Sequence, residues 1–143
     1  MNKISAILAV DLDGCIGDGD KLLFKDKVDQ AFFAGYTMGK ACVVGYNTYN
    51  TLPKLAGREL ILDTRTTLDL KFASFKSQVD EVVVIGGAKT YTKYAPQIEE
   101  VLITIFHESV GGDKQVDLNL FNHLKSRTTV FKTEQFTIEK WST

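Results

Sequence analysis

Hydrophobic residues along this chain fall into short continuous runs separated by more polar segments. Such runs are typical of strands that are covered on both faces. They predict strands at residues 4–10, 41–44, 60–62, 81–85 and 101–106. The intervening segments predict helices at residues 25–37, 46–52 and 88–94, the last closed by Pro96.

The rest of the chain is less regular. Residues 11–21 are rich in Gly and Asp and are predicted to be loop. Residues 128–139 suggest a C-terminal hairpin, whereas residues 64–79 have no clear pattern. Strands that alternate with helices indicate an α/β fold with a mainly parallel sheet, whose ligands lie beyond the carboxyl ends of the strands. Since no repeat or linker interrupts the pattern, we expect a single domain over residues 1–143.

Composition narrows the class of protein. The 143 residues are 44% hydrophobic and 24% charged, as in an ordinary soluble domain. The net charge is −1 and the 17 basic residues are scattered among 18 acidic ones, which argues against a nucleic-acid-binding protein. No apolar run approaches the roughly 20 residues that cross a bilayer, so no membrane association is expected. Residues 4–10 are better interpreted as a first strand than as a signal peptide.

The cysteines and histidines give no sign of a metal site. Cys15 and Cys42 form no C-x-x-C pair, and two free thiols in a cytoplasmic protein are favoured over a disulfide. His107 and His123 are far apart and lack the spacing of zinc ligands, so no metal is expected.

Four features could carry chemistry, although each has an ordinary structural interpretation. Gly86-Gly87 joins a strand to a helix, where backbone can approach a phosphate, but a plain tight turn is an equal alternative. The glycine-rich residues 11–21 are either a surface loop or a lid. Asp29 and Phe33 share one face of the predicted helix, and Arg58 and Arg65 stand at strand ends, yet such residues are often simply solvated.

Five segments in order resemble the dihydrofolate reductase family. They are AVDLDGCIGDGDKLLF, TMGKACVVGYNTYNTLP, GRELILDTR, VVVIGGAKTY and VLITIFHESVGGD. The corresponding family patterns are A-V-D-x-x-G-x-I-G-x-x-x-x-L-P-W, T-x-G-K-P-V-I-M-G-R-x-T-W-E-S-L-P, G-R-x-N-I-V-L-T-R, V-x-V-I-G-G-x-x-I-Y and L-Y-L-T-x-I-x-x-x-x-x-G-D. The resemblance runs from Ile4 to about Asp113, and the last thirty residues match only in outline.

The resemblance implies a fold and an activity. The fold would be an α/β domain with a central, mostly parallel eight-stranded sheet, an antiparallel C-terminal strand and helices on both faces. The activity would be reduction of dihydrofolate to tetrahydrofolate with NADPH, by hydride transfer from C4 of the nicotinamide to C6 of the pterin. Antifolates such as methotrexate would bind, and the protein would be a monomer without nucleic-acid or membrane partners.

The resemblance also implies residue roles. Asp29 would be the active-site carboxylate, supported by Thr104, with Phe24 at the position of the family's Trp. The pterin and its tail would contact Ile7, Leu8, Phe33, Leu52, Leu55, Arg58 and Ile85, with Arg58 on the glutamate carboxylate. The cofactor would contact Ala9, Ile16, Gly17, Gly45, Tyr46, Asn47, Thr48, Asp63, Thr64, Arg65, Gly86, Gly87, Ala88, Lys89, Thr90 and Tyr91. Of these, Thr64 and Arg65 would bind the 2′-phosphate, and the Gly86–Gly87 peptide would be cis.

The chain departs from the family at several positions. Phe24 lacks the indole N–H, Tyr46 and Asn47 replace expected basic phosphate-facing residues, and Val116 and Asp117 replace a later F-P. These departures put rate and affinity in question more than the reaction. Two alternatives remain open: a pyrimidinone reductase of the riboflavin pathway, against which Asp29 and Arg58 argue, and a non-catalytic nucleotide-binding or structural protein on the same fold.

Overall fold

A computed structural model describes residues 2–18, 21–22, 26–51, 56–109 and 114–143 of the chain. The strands are β1 (Lys3–Val10), β2 (Cys15–Asp18), β3 (Lys21–Leu22), β4 (Ala41–Val44), β5 (Glu59–Leu62), β6 (Glu81–Gly86), β7 (Glu100–Phe106), β8 (Lys114–Gln115), β9 (Ser126–Lys132) and β10 (Phe136–Ser142). The α-helices are α1 (Lys27–Thr37), α2 (Tyr46–Thr51), α3 (Leu70–Ser77) and α4 (Ala88–Tyr94), and short 3-10 helices occupy Ala95–Gln97 and Leu118–Phe121.

The central sheet has the strand order β5-β4-β6-β1-β7-β10-β9. Neighbours from β5 to β7 are parallel, whereas β10 runs antiparallel to both β7 and β9. The predicted α/β class, mainly parallel sheet and antiparallel C-terminal strand are confirmed. In the part of the chain that the structure describes this sheet has seven strands where eight were expected, and a separate small sheet has the order β3-β2-β8.

The continuous apolar runs arise because both faces of the sheet are covered. On one face Val82 and Val84 of β6 pack with Leu70 of α3 and Tyr91 of α4. On the other face Val83 and Ile85 pack with the α1 side chains, including Phe33. Successive side chains of a strand point to opposite faces, so a strand covered on both faces is apolar at most positions and not only at alternate ones.

The prediction of loop throughout residues 11–21 is wrong in part. Asp11 is 1% exposed, and its Oδ1 accepts hydrogen bonds from the backbone N–H groups of Asp13 at 2.8 Å and Cys15 at 2.9 Å. Gly14, with φ of 82°, completes the turn. The chain then enters β2, which pairs with β8 and β3. A side-chain-stabilised turn has therefore replaced the longer loop that the glycines suggested.

Helix α3 lies within residues 64–79, the segment whose sequence has no clear pattern. Asp69 caps this helix by accepting from the N–H groups of Lys71 and Phe72, and Gln78 ends it in a left-handed conformation. Leu70 and Ser74 face the core, whereas Phe72 and Phe75 are exposed. Hydrophobic residues on the solvent side conceal the helical period from a sequence-based prediction.

At the amino ends of the parallel strands a polar cluster fastens the C-terminal end of α1. The Tyr36 hydroxyl donates to the Glu81 carboxylate, and the Ser5 hydroxyl donates to the same oxygen at 2.5 Å. Lys40 Nζ lies 3.2 Å from the other Glu81 oxygen and 3.5 Å from the centre of the Tyr36 ring. These contacts set the position of the helix that carries Asp29 at its opposite end.

None of the helices in the described ranges is long and apolar enough to span a membrane.

Candidate active site

Asp29 lies in the first turn of α1, where the helix begins beside the carboxyl end of β7. Asp26 caps the helix, since its Oδ1 accepts from the N–H groups of Val28 at 2.8 Å and Asp29 at 3.0 Å. The Thr104 hydroxyl of β7 donates to Asp29 Oδ1 at 2.6 Å. Cap and hydroxyl together give this half-buried carboxylate a defined orientation.

The environment of Asp29 raises its pKa above the ordinary value. Burial is the largest cause, because it disfavours the charged form. The hydrogen bond from Thr104 lowers the pKa, and the nearby charge of Asp26 raises it. The carboxylate is therefore held partly out of water beside one strong donor and one like charge.

An apolar wall lies on the face of the sheet that α1, the helix of Asp29, covers. Ile7 and Ile85 are 5% and 7% exposed and belong to one cluster with Phe33. The structure thus brings together three of the predicted substrate contacts. Leu8 is the exception, because its side chain packs in the cluster on the other face of the sheet. The alternation of side chains along β1 separates Leu8 from Ile7 and corrects that part of the prediction.

Ala9 connects the apolar wall to the carboxylate. In the β1–β7 pairing Ala9 lies opposite Thr104 and Ile7 lies opposite Leu102. Side chains at directly paired positions share a face of the sheet, so Ala9 and Thr104 are neighbours. The predicted nicotinamide contact Ala9 is thus adjacent to Thr104, the residue that donates to the predicted substrate carboxylate.

Arg58 is ordered by three hydrogen bonds at the start of β5. Its Nε donates to Thr37 Oγ1 at 2.9 Å, and its terminal nitrogens donate to the carbonyl oxygens of Ala56 at 2.9 Å and Ala34 at 2.8 Å. A guanidinium has five N–H donors, so further donors remain for an anion. The side chain is therefore prearranged, and Thr37, which sequence reasoning overlooked, takes part in orienting it.

Glycines allow two strand ends to approach each other. Gly45 donates its N–H to the Gly86 carbonyl at 2.8 Å, and a Cβ on Gly45 would lie 2.6 Å from Thr90 Oγ1. A Cβ on Gly87 would lie 2.8 Å from Thr48 Oγ1. The Gly86–Gly87 peptide is cis, as the resemblance implied. Side chains at these positions would fill a narrow cradle formed by backbone at the carboxyl edge of the sheet.

Tyr91 links this cradle to the apolar wall. Its hydroxyl donates to the Ile7 carbonyl at 2.7 Å, and its ring is 3% exposed. Burial raises the pKa of Tyr91 strongly, so the hydroxyl remains a donor at neutral pH. The side chain packs inside the fold and holds α4 against β1.

The turn after β5 carries the remaining predicted cofactor residues. Thr64 and Arg65 are exposed, and Asp63 is largely covered. Lys93 of α4 lies against this turn, with Nζ 3.0 Å from Asp63 Oδ1. Sequence reasoning did not identify Lys93, and no signal in the chain would have done so, because its partners are about thirty residues away.

Other predicted residues have less defined surroundings. Tyr46, Asn47 and Lys89 are exposed, and Ala88 is half-buried at the start of α4. Ile16 and Gly17 lie in β2, of which the structure describes the backbone. The predictions for Phe24, Leu52 and Leu55 fall outside the described residues.

A doubly covered, mainly parallel sheet, with one oriented carboxylate and a glycine cradle at its carboxyl edge, defines an α/β protein that is built to bind a ligand at that edge. A family model described as dihydrofolate reductase matches residues 3–137. The chain is 35% identical over 139 residues to dihydrofolate reductase type 8 of Escherichia coli, covering 82% of each protein. It is 33% identical over 126 residues to the dihydrofolate reductase of Neisseria meningitidis, covering 79% of this chain and 78% of that one. The chain belongs to the dihydrofolate reductase family.

A solved structure agrees in fold. Dihydrofolate reductase from Enterococcus faecalis, in complex with NADP(H) and RAB-propyl, superposes with a TM-score of 0.77. The superposition covers 98% of this chain and 95% of that one at 20% sequence identity. At that identity the likeness concerns the fold.

Proposed function

We propose that this protein reduces dihydrofolate to tetrahydrofolate with NADPH, and that Asp29 is the carboxylate that holds the pterin. The observation that carries the proposal is the 2.6 Å hydrogen bond from Thr104 to Asp29 beside the apolar wall. Family membership supports the same reaction. Residues 3–137 match one family model, which supports a single domain.

The proposed role of Asp29 follows from its charge and surroundings. A carboxylate can accept two parallel hydrogen bonds from the 2-amino group and N3 side of a pterin. Attraction between the carboxylate and a cationic ring grows as water is excluded, so the site favours a ring protonated at N5. Protonation at N5 makes C6 more electrophilic. The proton reaches N5 through a water, because Asp29 contacts the far side of the ring.

The apolar wall supplies orientation and excludes water. Ile7, Phe33 and Ile85 would contact the faces of the pterin, and Thr104 would keep the carboxylate in the plane of the ring. Such prearrangement accelerates a reaction by removing orientational freedom before the chemical step. Arg58, already held by three hydrogen bonds, would bind the carboxylate of the glutamate tail with its remaining donors.

The cradle fits a dinucleotide. Gly45 and Gly87 leave space where a Cβ would crowd Thr90 and Thr48, and Gly86 lies between them with a φ of 137° that favours glycine. We assign these residues to the pyrophosphate, and Thr64 and Arg65 to the 2′-phosphate. NADPH, when bound, supplies the hydride that is added to C6 of the pterin. The chain's own task at this edge is to hold the two phosphate groups and to leave the Ala9 side of the wall open to the nicotinamide.

The experiment that tests the proposal is a substrate-dependent assay. Purified protein is mixed with NADPH, and absorbance is followed after addition of either dihydrofolate or a ribosylamino-pyrimidinone. Oxidation of NADPH with dihydrofolate alone supports the proposal. Oxidation with the pyrimidinone alone would favour the riboflavin-pathway alternative, and no oxidation with either would favour a non-catalytic protein.

Inhibitor binding gives an independent measurement. Methotrexate should raise the melting temperature in proportion to the logarithm of its concentration, as expected for a ligand that binds only the folded state. A tail-lacking 2,4-diaminopteridine should do the same with lower affinity. The absence of any shift with both compounds would contradict the proposed pterin site.

A further inference from the structure

The Asp63 carboxylate lies immediately after β5, at the edge of the sheet where the proposed cofactor binds. Its backbone N–H donates to the Val44 carbonyl at 2.8 Å, which extends the β4–β5 pairing by one residue. The Asp63 side chain is 12% exposed. An acidic residue at this place has a direct consequence for the type of nicotinamide nucleotide that the protein can accept.

Two side chains of α4 contact the Asp63 carboxylate through the same oxygen. Lys93 Nζ lies 3.0 Å from Oδ1, and the Tyr94 hydroxyl donates to Oδ1 at 2.7 Å. Burial and the neighbouring Asp63 carboxylate raise the pKa of Tyr94 to about 12, so Tyr94 contributes a hydrogen bond but no charge. Lys93 therefore provides the positive charge that balances Asp63.

Lys93 also orders the turn that follows. Its ammonium donates to the carbonyl oxygens of Thr64 at 2.7 Å and Thr66 at 2.8 Å. Together with Asp63 these acceptors use all three N–H groups of the ammonium. The ammonium group of Lys93 thus contacts three residues of the turn over residues 63–66 and holds the turn in place. Because its donors are occupied by the protein, Lys93 acts on a ligand through the turn.

We propose that Lys93 is a positioning residue that determines cofactor specificity, because it neutralises Asp63 and presents Thr64 and Arg65 to a 2′-phosphate. The inference rests on the proposed function, which assigns the 2′-phosphate to those two residues. It adds that the discrimination between NADPH and NADH depends on a lysine that touches neither nucleotide.

The physical reason is electrostatic. A phosphate monoester carries a charge of about −1.5 to −2 at neutral pH, so an unpaired carboxylate in the adjoining turn repels it. The same unpaired carboxylate can accept a hydrogen bond from a ribose 2′-hydroxyl, as acidic residues do in NAD-binding proteins. Asp63 without Lys93 therefore favours NADH, whereas the Asp63–Lys93 pair together with Arg65 leaves a net positive charge for NADPH.

The experiment measures dissociation constants for NADPH and NADH, by protein fluorescence without substrate, in a set of variants. Lys93→Met should weaken NADPH binding at least about tenfold and leave NADH binding unchanged or tighter. Lys93→Arg, which keeps the charge, should retain most of the preference for NADPH. Lys93→Met combined with Asp63→Asn should recover most of the lost preference, because the unpaired charge has been removed.

Tyr94→Phe is the matched control. It removes the other hydrogen bond to Asp63 from the same helix but leaves both charges in place. It should lower the melting temperature without changing the ratio of the two dissociation constants. Equal weakening of NADPH and NADH in Lys93→Met, or no recovery in the double variant, would overturn the inference.

The variant Arg65→Ala tests the assignment of the 2′-phosphate separately from the inference on Lys93. If Arg65→Ala lowers the preference for NADPH and Lys93→Met does not, the inference on Lys93 is wrong while the 2′-phosphate assignment stands. If Arg65→Ala leaves the preference unchanged, the assignment of the 2′-phosphate under the proposed function is itself wrong. The KM for dihydrofolate should be unaffected by Lys93→Met in both cases.

Discussion

The hydroxyl of Thr104 lies 2.6 Å from Oδ1 of Asp29, which joins β7 to the first turn of α1 across 75 positions of the sequence. The bond orients the carboxylate without neutralising it. A hydroxyl donor favours the ionised form, whereas burial opposes it, and the net effect is a raised pKa. The Thr104 hydrogen bond therefore opposes part of the effect of burial on this carboxylate.

The first prediction concerns catalysis. Asp29→Asn should reduce kcat/KM for dihydrofolate on the order of 10²-fold or more at neutral pH, because the neutral amide no longer favours a ring protonated at N5. Steady-state rates with saturating NADPH measure this. Asp69→Asn, the cap of α3, is a matched change of charge away from the site and should leave the rate unaltered. Equal rates in Asp29→Asn and the unaltered protein would show that another group acts.

The second prediction concerns the stability cost of the same carboxylate. Since the pKa of Asp29 is raised on folding, the folded state binds the proton more tightly than the unfolded chain does. The folded state is therefore penalised above that pKa, and the penalty vanishes below the unfolded value of about 3.9. Asp29→Asn should raise the melting temperature at pH 7 and have little effect in acid. A lower melting temperature at pH 7 would contradict this reasoning.

The third prediction tests the hydrogen bond itself. Thr104→Val removes a donor that lowers the pKa of Asp29 and preserves the shape of this 2% exposed side chain. The pKa of Asp29 should therefore rise further. The affinity for methotrexate is measured by fluorescence as the pH is lowered. Because Asp29 is protonated at a higher pH in the variant, the affinity should begin to fall at a higher pH than in the unaltered protein. Thr128→Val on the exposed strand β9 provides the control, and identical midpoints in both variants would contradict the assignment.

The fourth prediction separates the tail of the substrate from its ring. Arg58→Lys should raise the KM for dihydrofolate roughly tenfold or more, because an ammonium cannot make a bidentate contact with a carboxylate. The KM for a dihydropterin that lacks the glutamate tail should not change. Comparison of the two substrates in one assay gives the result. A parallel rise for both would mean that Arg58 acts on the fold through Thr37, and not on the tail.

The fifth prediction concerns the polar cluster at the amino edge of the sheet. Burial raises the pKa of Glu81, but hydrogen bonds from Ser5 and Tyr36 and the charge of Lys40 outweigh it, so the net pKa is lowered. This stabilisation is present above the unfolded pKa of about 4.3 and is lost as the pH falls through the lower folded value. Glu81→Gln should lower the free energy of unfolding by about 1–3 kcal/mol at pH 7.

Denaturant titrations at several pH values measure the effect of Glu81→Gln. The difference from the unaltered protein should shrink as the pH falls below the unfolded pKa, and it should be smallest below the lowered folded pKa, where the carboxyl of the unaltered protein is also neutral. A difference that stays constant down to acid pH would show that shape, and not charge, makes Glu81 important. Glu134→Gln, at an exposed turn position, is the control.

Much of the fold was predictable because it depends on near neighbours in the chain. The apolar run at residues 81–85 predicted β6, which ends at Gly86, and residues 88–94 form α4 with the predicted bounds. The hidden helix α3 was missed because Phe72 and Phe75 are on its solvent side. The turn stabilised by Asp11 was missed because its hydrogen bonds depend on a side-chain conformation.

The candidate site was likewise predictable in part. Sequence patterns supplied the residue types, namely an acid and an aromatic on one helix face, paired glycines after a strand and arginines at strand ends. The strand order then decided which of them meet. It brought Thr104 to Asp29, and the alternation along β1 turned Leu8 away from Ile7.

By itself the sequence determined the order and class of the elements and the identity of the groups that can react. The tertiary structure decided the partnerships, above all Thr104 with Asp29 and Lys93 with Asp63. The physical reason is the separation along the chain over which each effect acts. Periodicity and turn preference are set within a few residues, whereas these pairs join positions that only strand order and register bring within hydrogen-bonding distance.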